Sequence, residues 1–365
     1  MGAVDLVVRS RLASMVLRRR TARSDGRATA PRFIGTDVYR LGDAVLGRLR
    51  VILQSNGCTR PTCTMCPLPN VALDYAKHRV SAEDYVKQAS EALRWSAGHG
   101  IVSIYNDGSF FADQELPAEA RREIYRLVKL KGCQHLMVES LPEFVDRSKL
   151  AEAKAVLGDV NLVVGIGLQS ANDVVRELCI NSPVKVADFL NVHNLLGEFG
   201  FGTKAYVMLK APFLSEDEAV EDACSTVAWL SGHHVTDITI CPLRVAPGTL
   251  VHGMLEEGLY IPPALTTVAE VLLRAQGQGC HARVSVFNVH SVDFAARASW
   301  GCAVCETRLL EGIAAYNDDP SSVDLEPLLC SHCRGKVRAA EVIASLGDRL
   351  EERVESYLGR FGIPQ

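Results

Sequence analysis

The alternation of short β-branched runs with amphipathic stretches limits the possible folds of this chain more than any other feature. It starts near Leu49 and is typical of βαβ units around a parallel sheet. Strands are predicted at 49–55, 101–105, 135–139, 162–168, 203–209 and 237–241, with another at 283–287. Helices are predicted at 82–97, 118–130, 147–157, twice between 171 and 199, and at 216–230, 263–276 and 338–357.

The first six strands with their helices make six β/α units, which are too few for a closed eight-stranded barrel. The predicted fold class is therefore α/β, an open barrel whose chemistry gathers at the C-terminal ends of the strands. We divide the chain into a basic N-terminal arm at 1–48, the barrel at 49–290, and a region at 291–365 with four cysteines and a closing helix.

The arm carries the opposite charge to the rest of the chain. Residues 1–50 contain eleven arginines and four aspartates, whereas the whole chain has a net charge of −4. Such a segment serves as a transit signal, a nucleic-acid-binding arm or a solvated strap over the fold. We prefer the strap, because no lysine or aromatic residue is interleaved with Arg18, Arg19, Arg20 and Arg23. No apolar run approaches the roughly 18 residues of a membrane helix, so we expect a cytoplasmic protein without a membrane segment.

The spacing of the cysteines points to metal rather than to disulfides. Cys58, Cys63 and Cys66 lie in the loop after the first predicted strand, where Gly57 and Pro61 favour turns. Three thiolates leave one iron of a [4Fe-4S] cluster open, and the amino and carboxylate groups of S-adenosylmethionine (SAM) can chelate it. The alternative is a zinc knuckle with a remote fourth ligand.

A second group of four cysteines forms two CxxC pairs. Cys302, Cys305, Cys330 and Cys333 predict either a closed tetrahedral zinc site or a fully ligated auxiliary [4Fe-4S] cluster. Both need the same four sulfurs, and we prefer zinc as the structural site usual in loop-rich ribbons.

The CxxxxCxxC loop and several other blocks resemble the radical SAM enzymes, and among them the archaeosine synthase radical-SAM subunit and its bacterial relatives. The common loop of that family is CxxxCxxC, so this one is a residue longer. The final CxxC pairs are similar to the subunit's tail, and the other blocks stand in its order: YNDGSFF (105–111), VESLPEF (138–144), GIGLQSAND (165–173), KAYVMLKAPFLSEDEAVEDA (204–223) and PLRVAPGT (242–249). The resemblance implies a radical SAM partial barrel with a small metal-binding tail.

The resemblance also implies which strand ends bind the cofactor. Asn106, Asp107, Gly108 and Ser109 would bind the methionine amino group. Glu139 and Ser140 would accept from the ribose hydroxyls, and Val245 and Gly248 would contact adenine. Gln169 and Lys210 are assigned as catalytic residues, and Gln169 would also contact the cofactor, although the family has an acidic residue at the position of Gln169. Lys210 would either neutralise a carboxylate or be a solvated strand cap.

The implied chemistry is one-electron reduction of the cluster, cleavage of SAM to a 5′-deoxyadenosyl radical, and hydrogen abstraction from a substrate. A reductant such as flavodoxin or ferredoxin would supply the electron.

Three functions remain open. The family's reaction acts on a modified tRNA guanine and cleaves a lysine-derived side chain to leave an amidine. Because the composition is typical of a high-GC bacterium, we prefer a nucleoside-like or other small-molecule substrate in secondary metabolism, such as antibiotic biosynthesis. One version is sulfur insertion with an auxiliary cluster as the donor. The third is a metal-binding adaptor without catalysis, against which the intact Cys58, Cys63 and Cys66 argue.

Overall fold

A computed structural model describes residues 6–20, 28–285, 303–329 and 342–361, together with residues 333 and 335. Its centre is one eight-stranded sheet in which the strands follow in chain order. The strands are β1 Phe33–Leu41, β2 Ala44–Ile52, β3 Ile101–Tyr105, β4 His135–Glu139, β5 Asn161–Gln169, β6 Gly202–Leu209, β7 Asp237–Pro242 and β8 Arg283–Val284. From β2 to β8 all neighbours are parallel, and only β1 is antiparallel to its neighbour.

Helices connect these strands and cover one face of the sheet. They are α1 Leu6–Arg19, α2 Leu68–Val71, α3 Ala82–Ala92, α4 Ala118–Leu130, α5 Arg147–Leu157, α6 Val186–Glu198, α7 Glu216–Gly232, α8 Leu250–Glu256, α9 Leu265–Gly277, α10 Ala303–Asp318 and α11 Leu350–Arg360. The larger hydrophobic core lies between helices and sheet and includes Val102, Leu136 and Val164. This is the α/β open barrel that the sequence predicts.

The predicted elements agree with the structure most closely in the centre of the barrel. The strands at 101–105 and 135–139 and the helices at 118–130 and 147–157 have the predicted bounds. Between 171 and 199, one of the two predicted helices is replaced by a π-helical turn at Val175–Cys179. The predicted closing helix is shorter and later, since α11 follows a 3-10 turn at Ile343–Leu346.

The N-terminal arm is more ordered than a solvated strap. It contains α1, β1 and the start of β2, so the boundary drawn at residue 49 falls inside β2. The apolar face of α1 is buried through Val8, Leu12, Met15 and Val16. The strap interpretation missed this periodic apolar face because it considered only the arginines.

The side chain of Tyr39 fills the bottom of the barrel interior. Its ring packs with Ile101, Met137 and Val163, and its hydroxyl donates to Asp237 at 2.7 Å. The guanidinium carbon of Arg283 lies 3.8 Å from the ring centroid. These contacts close the N-terminal end of the barrel.

Part of the C-terminal region can be described. Cys305 is half-buried and Cys333 is buried. Cys302 and Cys330 lie outside the described residues, so the four-cysteine site remains a prediction. Within the parts of the chain that the structure describes, no helix is long and apolar enough to cross a membrane.

Candidate active site

The loop with Cys58, Cys63 and Cys66 follows β2 at the C-terminal edge of the sheet. Thr64 in its centre is anchored on two sides. Its amide donates to the carbonyl of Ile180 at 2.9 Å, and its own carbonyl accepts from the amide of Leu250 at 3.0 Å. The loop is therefore held between the π-helical turn and the start of α8.

The three loop cysteines are half-buried. Burial raises the pKa of Cys58 to about 12, and it also raises the pKa of Cys63 and of Cys66. The charge of Arg20 opposes this rise at all three. Near neutral pH these thiols therefore ionise only where a cation, such as a bound metal centre, stabilises their thiolates.

The donor set of this loop fits a [4Fe-4S] cluster. Three thiolates can bind three of its irons and leave the fourth iron for a chelating ligand. A single zinc ion would need a fourth protein ligand besides Cys58, Cys63 and Cys66.

Glu115 connects the cysteine loop to the segment after β3. Its Oε1 accepts from the amide and hydroxyl of Thr59 at 2.7 and 2.6 Å, and its Oε2 accepts from the amide of Ser109. Gly108 is required beside it, because a Cβ there would overlap Glu115 Oε2 and lie 3.3 Å from the Cα of Cys58. The sequence analysis missed Glu115, since an acid shortly before a helix has no local signal for this role.

Asn106 and Asp107 lie at the end of β3, beside the loop. The backbone carbonyl of Asn106 accepts from Ser55 Oγ at 2.5 Å. Its side chain is 1% exposed, and among the described residues neither its oxygen nor its nitrogen has a hydrogen-bond partner. A buried amide without partners costs free energy unless a ligand or water satisfies it, so Asn106 fits a polar ligand.

Asp107 is buried and pairs with an arginine of the N-terminal segment. Arg32 lies 2.7 Å from both carboxylate oxygens. Burial raises the pKa of Asp107 to about 6, and Arg32 opposes the rise. The backbone φ of Asp107 is +54°, a left-handed conformation that aspartate tolerates better than most residues.

Glu139 extends from the end of β4 into the interior of the barrel. Tyr206 of β6 donates to it at 2.5 Å, and Gly165 between them has no space for a Cβ, which would be 2.9 Å from the Tyr206 ring. Burial raises the pKa of Glu139, while Tyr206 and the charge of Lys204 lower it. Ser140 follows with its hydroxyl donating to the carbonyl of Leu141 at 3.2 Å.

Gln169 at the end of β5 has features in common with Asn106. Its φ is +68°, and its buried Oε1 has no hydrogen-bond partner among the described residues. The next residue, Ser170, donates to Asp222 of α7 at 2.6 Å. Gln169 therefore offers a second polar atom at the strand ends that a ligand could satisfy.

Lys210 at the end of β6 forms a buried ion pair. Its ammonium lies 2.5 Å from Glu216, and both side chains are almost completely buried. Glu216 also accepts from the amide of Ala264 at 2.9 Å and from the hydroxyl of Thr267. Lys210 is thus no solvated cap, and its charge is balanced within the protein.

The segment after β7 closes over the cysteine loop. Val245 is buried, and Gly248 has a φ of +73°, a conformation that favours glycine. Between them, the carbonyl of Pro247 accepts from the side chain of Asn70 at 3.1 Å. The predicted residues at the ends of β3, β4, β5 and β7 thus share the C-terminal edge of the sheet with the cysteine loop.

Three relatives have similar sequences. Archaeosine synthase subunit beta of Thermococcus kodakarensis is 32% identical over 234 residues, which are 62% of this chain and 72% of that protein. The protein of the same name from Methanosarcina acetivorans is 27% identical over 286 residues, 77% of this chain and 82% of the relative. An uncharacterized protein of Methanocaldococcus jannaschii is 30% identical over 244 residues, 65% of this chain and 66% of its own.

No family model matches the chain. Among solved structures, Elp3 of Methanocaldococcus infernus is similar with a TM-score of 0.48 and 16% identity, over 65% of this chain and 59% of that one. Methylornithine synthase is similar with a TM-score of 0.45 and 10% identity, over 88% and 94% of the two chains.

Proposed function

This chain belongs to the radical SAM family that includes archaeosine synthase subunit beta, and on that premise we propose that it cleaves SAM reductively at a [4Fe-4S] cluster held by Cys58, Cys63 and Cys66. The observation that carries the proposal is the position of these thiols at the C-terminal edge of the sheet, which they share with the buried side-chain amide of Asn106, for which the described residues provide no hydrogen-bond partner. In β/α barrels this edge carries the catalytic groups.

The proposed cofactor roles are those that the resemblance to radical SAM enzymes implies, and the geometry of the strand ends supports them. Asn106 would hydrogen-bond the methionine part of SAM, with Asp107, Gly108 and Ser109 shaping the backbone around it. Glu139 and Ser140 would accept from ribose hydroxyls, and Gln169 would use its unpartnered oxygen toward the ligand. Val245 and Gly248 would contact adenine. Lys210 is assigned a structural role instead of a catalytic one, because Glu216 already neutralises it.

The cluster, when bound, supplies the electron for cleavage of the sulfonium carbon–sulfur bond. The protein's part is to position the cofactor and to keep water out. Tyr206 and Lys204 favour the ionised form of Glu139, the form that accepts hydrogen bonds. Glu115 fixes the loop relative to β3 through Thr59 and Ser109.

For the substrate we now prefer a modified guanine in tRNA over a small molecule of secondary metabolism. The names of the relatives from Thermococcus kodakarensis and Methanosarcina acetivorans support this choice. Both are named as subunits, so we also propose a partner subunit. Phosphate contacts by the N-terminal arginines are not needed for the proposal, since Arg9, Arg20 and Arg32 already make contacts within the chain.

The cluster is tested by reconstituting the protein anaerobically and measuring iron and 5′-deoxyadenosine after reduction with dithionite. Replacing Cys58, Cys63 and Cys66 by alanine should abolish both. The matched control replaces Cys133, Cys224 and Cys280, which are buried outside the site, and should retain both. Undiminished SAM cleavage without the loop cysteines would refute the proposal.

The substrate class is tested by adding candidate substrates to the reconstituted, reduced protein. Bulk tRNA that carries the modified guanine should increase the formation of 5′-deoxyadenosine more than the corresponding free nucleoside does. Binding to tRNA should weaken with salt as counterions are released. A larger response to the free nucleoside would restore the small-molecule hypothesis.

We also propose that the four tail cysteines bind a second metal, and we prefer zinc to an auxiliary cluster. Metal analysis of the loop-cysteine triple variant, purified in air, should find about one zinc per chain. Iron and sulfide in that variant would favour the auxiliary cluster.

A further inference from the structure

We propose that the N-terminal helix α1 acts as a clamp that holds the cysteine loop, residues 58–66, in place; this loop is called the cluster loop below. Arg20, directly after the helix, is a positioning residue whose charge also makes the cluster easier to reduce. This inference rests on the proposed function. It gives part of the arginine-rich arm a role in the chemistry of the cluster instead of in nucleic-acid binding.

Two hydrogen bonds from one guanidinium carry the inference. Arg20 Nη1 donates to the carbonyl of Cys66 at 2.5 Å, and Nη2 donates to the carbonyl of Pro61 at 2.7 Å. The two acceptors lie on either side of Cys63, so one planar group joins both halves of the loop. A lysine ammonium is a compact point charge without the planar fork of arginine, so it would hold the two carbonyls in a less defined geometry.

The helix that carries Arg20 is fixed at its other end. Arg9 donates to the side chain of Asn181 at 3.2 Å, to Glu177 at 3.1 Å and to the carbonyl of Ser182 at 2.7 Å. Asn181 in turn donates to the carbonyl of Thr62 in the cluster loop at 3.1 Å. The segment 177–182 is thus a common support for α1 and for the loop.

Burial holds the middle of α1, and a second arginine holds its C-terminal end. Leu12 and Val16 are completely buried, and burial of such apolar side chains stabilises the packed position of the helix. Arg19 lies across Gly253 of α8, where a Cβ would overlap its guanidinium. The position of Arg20 is therefore set by the fold and not by the loop that it binds.

The charge of Arg20 lies at the loop that would hold the cluster. Its guanidinium donates to the backbone carbonyls of Cys66 and Pro61 at 2.5 and 2.7 Å, on either side of Cys63. One-electron reduction adds a negative charge to a cluster, and a nearby cation stabilises the reduced state relative to the oxidised one. Removing this cation should shift the potential to more negative values.

The experiment compares Arg20→Gln, Arg20→Lys and the control Arg18→Gln, whose side chain is exposed at the end of α1. The reconstituted full-length proteins are titrated with dithionite to obtain the midpoint potential. Arg20→Gln should lower the equilibrium constant for reduction about tenfold, which is about 59 mV for one electron. Arg20→Lys keeps the charge and should stay within about twofold of the wild type, or about 18 mV.

A second measurement tests the clamp in the apoprotein, which contains no cluster. Hydrogen exchange of peptides spanning 58–66 in the apoprotein should be faster in both Arg20 variants than in Arg18→Gln, because the loop loses its bridge. Unchanged exchange in both variants would overturn the clamp, and an unchanged potential in Arg20→Gln would overturn the electrostatic effect. A wild-type protein that binds no cluster would instead refute the proposed function, and the exchange measurement would still decide the clamp.

Discussion

Replacing Glu115 by glutamine tests how the site is assembled, since the side chain keeps its shape and loses its charge. In the wild type one carboxylate oxygen accepts from the amide and hydroxyl of Thr59, and the other accepts from the amide of Ser109. Glutamine has a single oxygen, so its NH₂ group must face donors on one side. Either the cluster loop or the segment after β3 then loses its acceptor.

The expected loss of stability follows from the number and type of these bonds. Hydrogen bonds to a charged group contribute about 1.5–3 kcal/mol each, and a buried donor left without a partner costs about 1–3 kcal/mol. Glu115 is 4% exposed, so water cannot easily replace the lost acceptor. If one side is lost and the other weakened, the free energy of unfolding should fall by about 2–4 kcal/mol.

The assay is urea unfolding of the apoprotein, with Glu91→Gln as the control because Glu91 is exposed on α3. The control should change the free energy of unfolding by no more than about 0.5 kcal/mol. Iron bound after reconstitution should fall in Glu115→Gln as well, since the loop would no longer be fixed. If the two variants were equally stable, Glu115 would not be the connection that we describe.

Three other predictions use the same unfolding assay. Gly108→Ala should destabilise the protein by at least about 1 kcal/mol, which is the lower range for a forced steric overlap. In the control Gly232→Ala the new Cβ meets nothing within 4 Å, so this variant should be neutral or more stable by about 0.5 kcal/mol. Similar effects of the two substitutions would contradict the tight packing at Gly108. Lys210→Met should cost about 3–5 kcal/mol because it leaves the carboxylate of Glu216 in the core without its cation, and a loss below about 1 kcal/mol would argue against a buried pair. Burial raises the pKa of Asp222 to about 6, above its unfolded value, so its stabilising contribution is present at low pH and is lost as the pH rises through about 6. Asp222→Asn should therefore gain stability relative to the wild type as the pH rises from the ordinary pKa of 3.8 to about 6, and parallel pH profiles would refute the assignment.

Much of the fold could be read from local patterns. Each β/α unit has its own β-branched run and amphipathic stretch, and these periodicities depend only on neighbours along the chain. The helix at 118–130 and the strand at 101–105 were therefore predicted with the bounds that the structure has. The elements that were not predicted include α1 and β1 near the N-terminus, because the segment that contains them was interpreted from its charge alone.

The parts of the proposed site that could be predicted are those where the residue type and its spacing indicate a chemical role. The spacing of Cys58, Cys63 and Cys66 predicts a metal site, and the resemblance to radical SAM enzymes, together with the predicted strand ends, assigns Asn106 and Glu139 to the cofactor. Parallel strands place their C-terminal ends at one edge, so the topology brings these residues together without knowledge of any contact.

Only the tertiary structure decided which partners the polar side chains have. Arg20 and Cys66 are 46 residues apart, Glu115 and Thr59 are 56 apart, and Arg32 and Asp107 are 75 apart. Such pairs leave no periodic trace in the sequence, because a hydrogen bond depends on the packing of both elements and not on the spacing between them. The elements and the spacing of the loop cysteines are therefore local properties of this chain, and the support of the cysteine loop by α1, Glu115 and the π-helical turn is a property of the folded molecule.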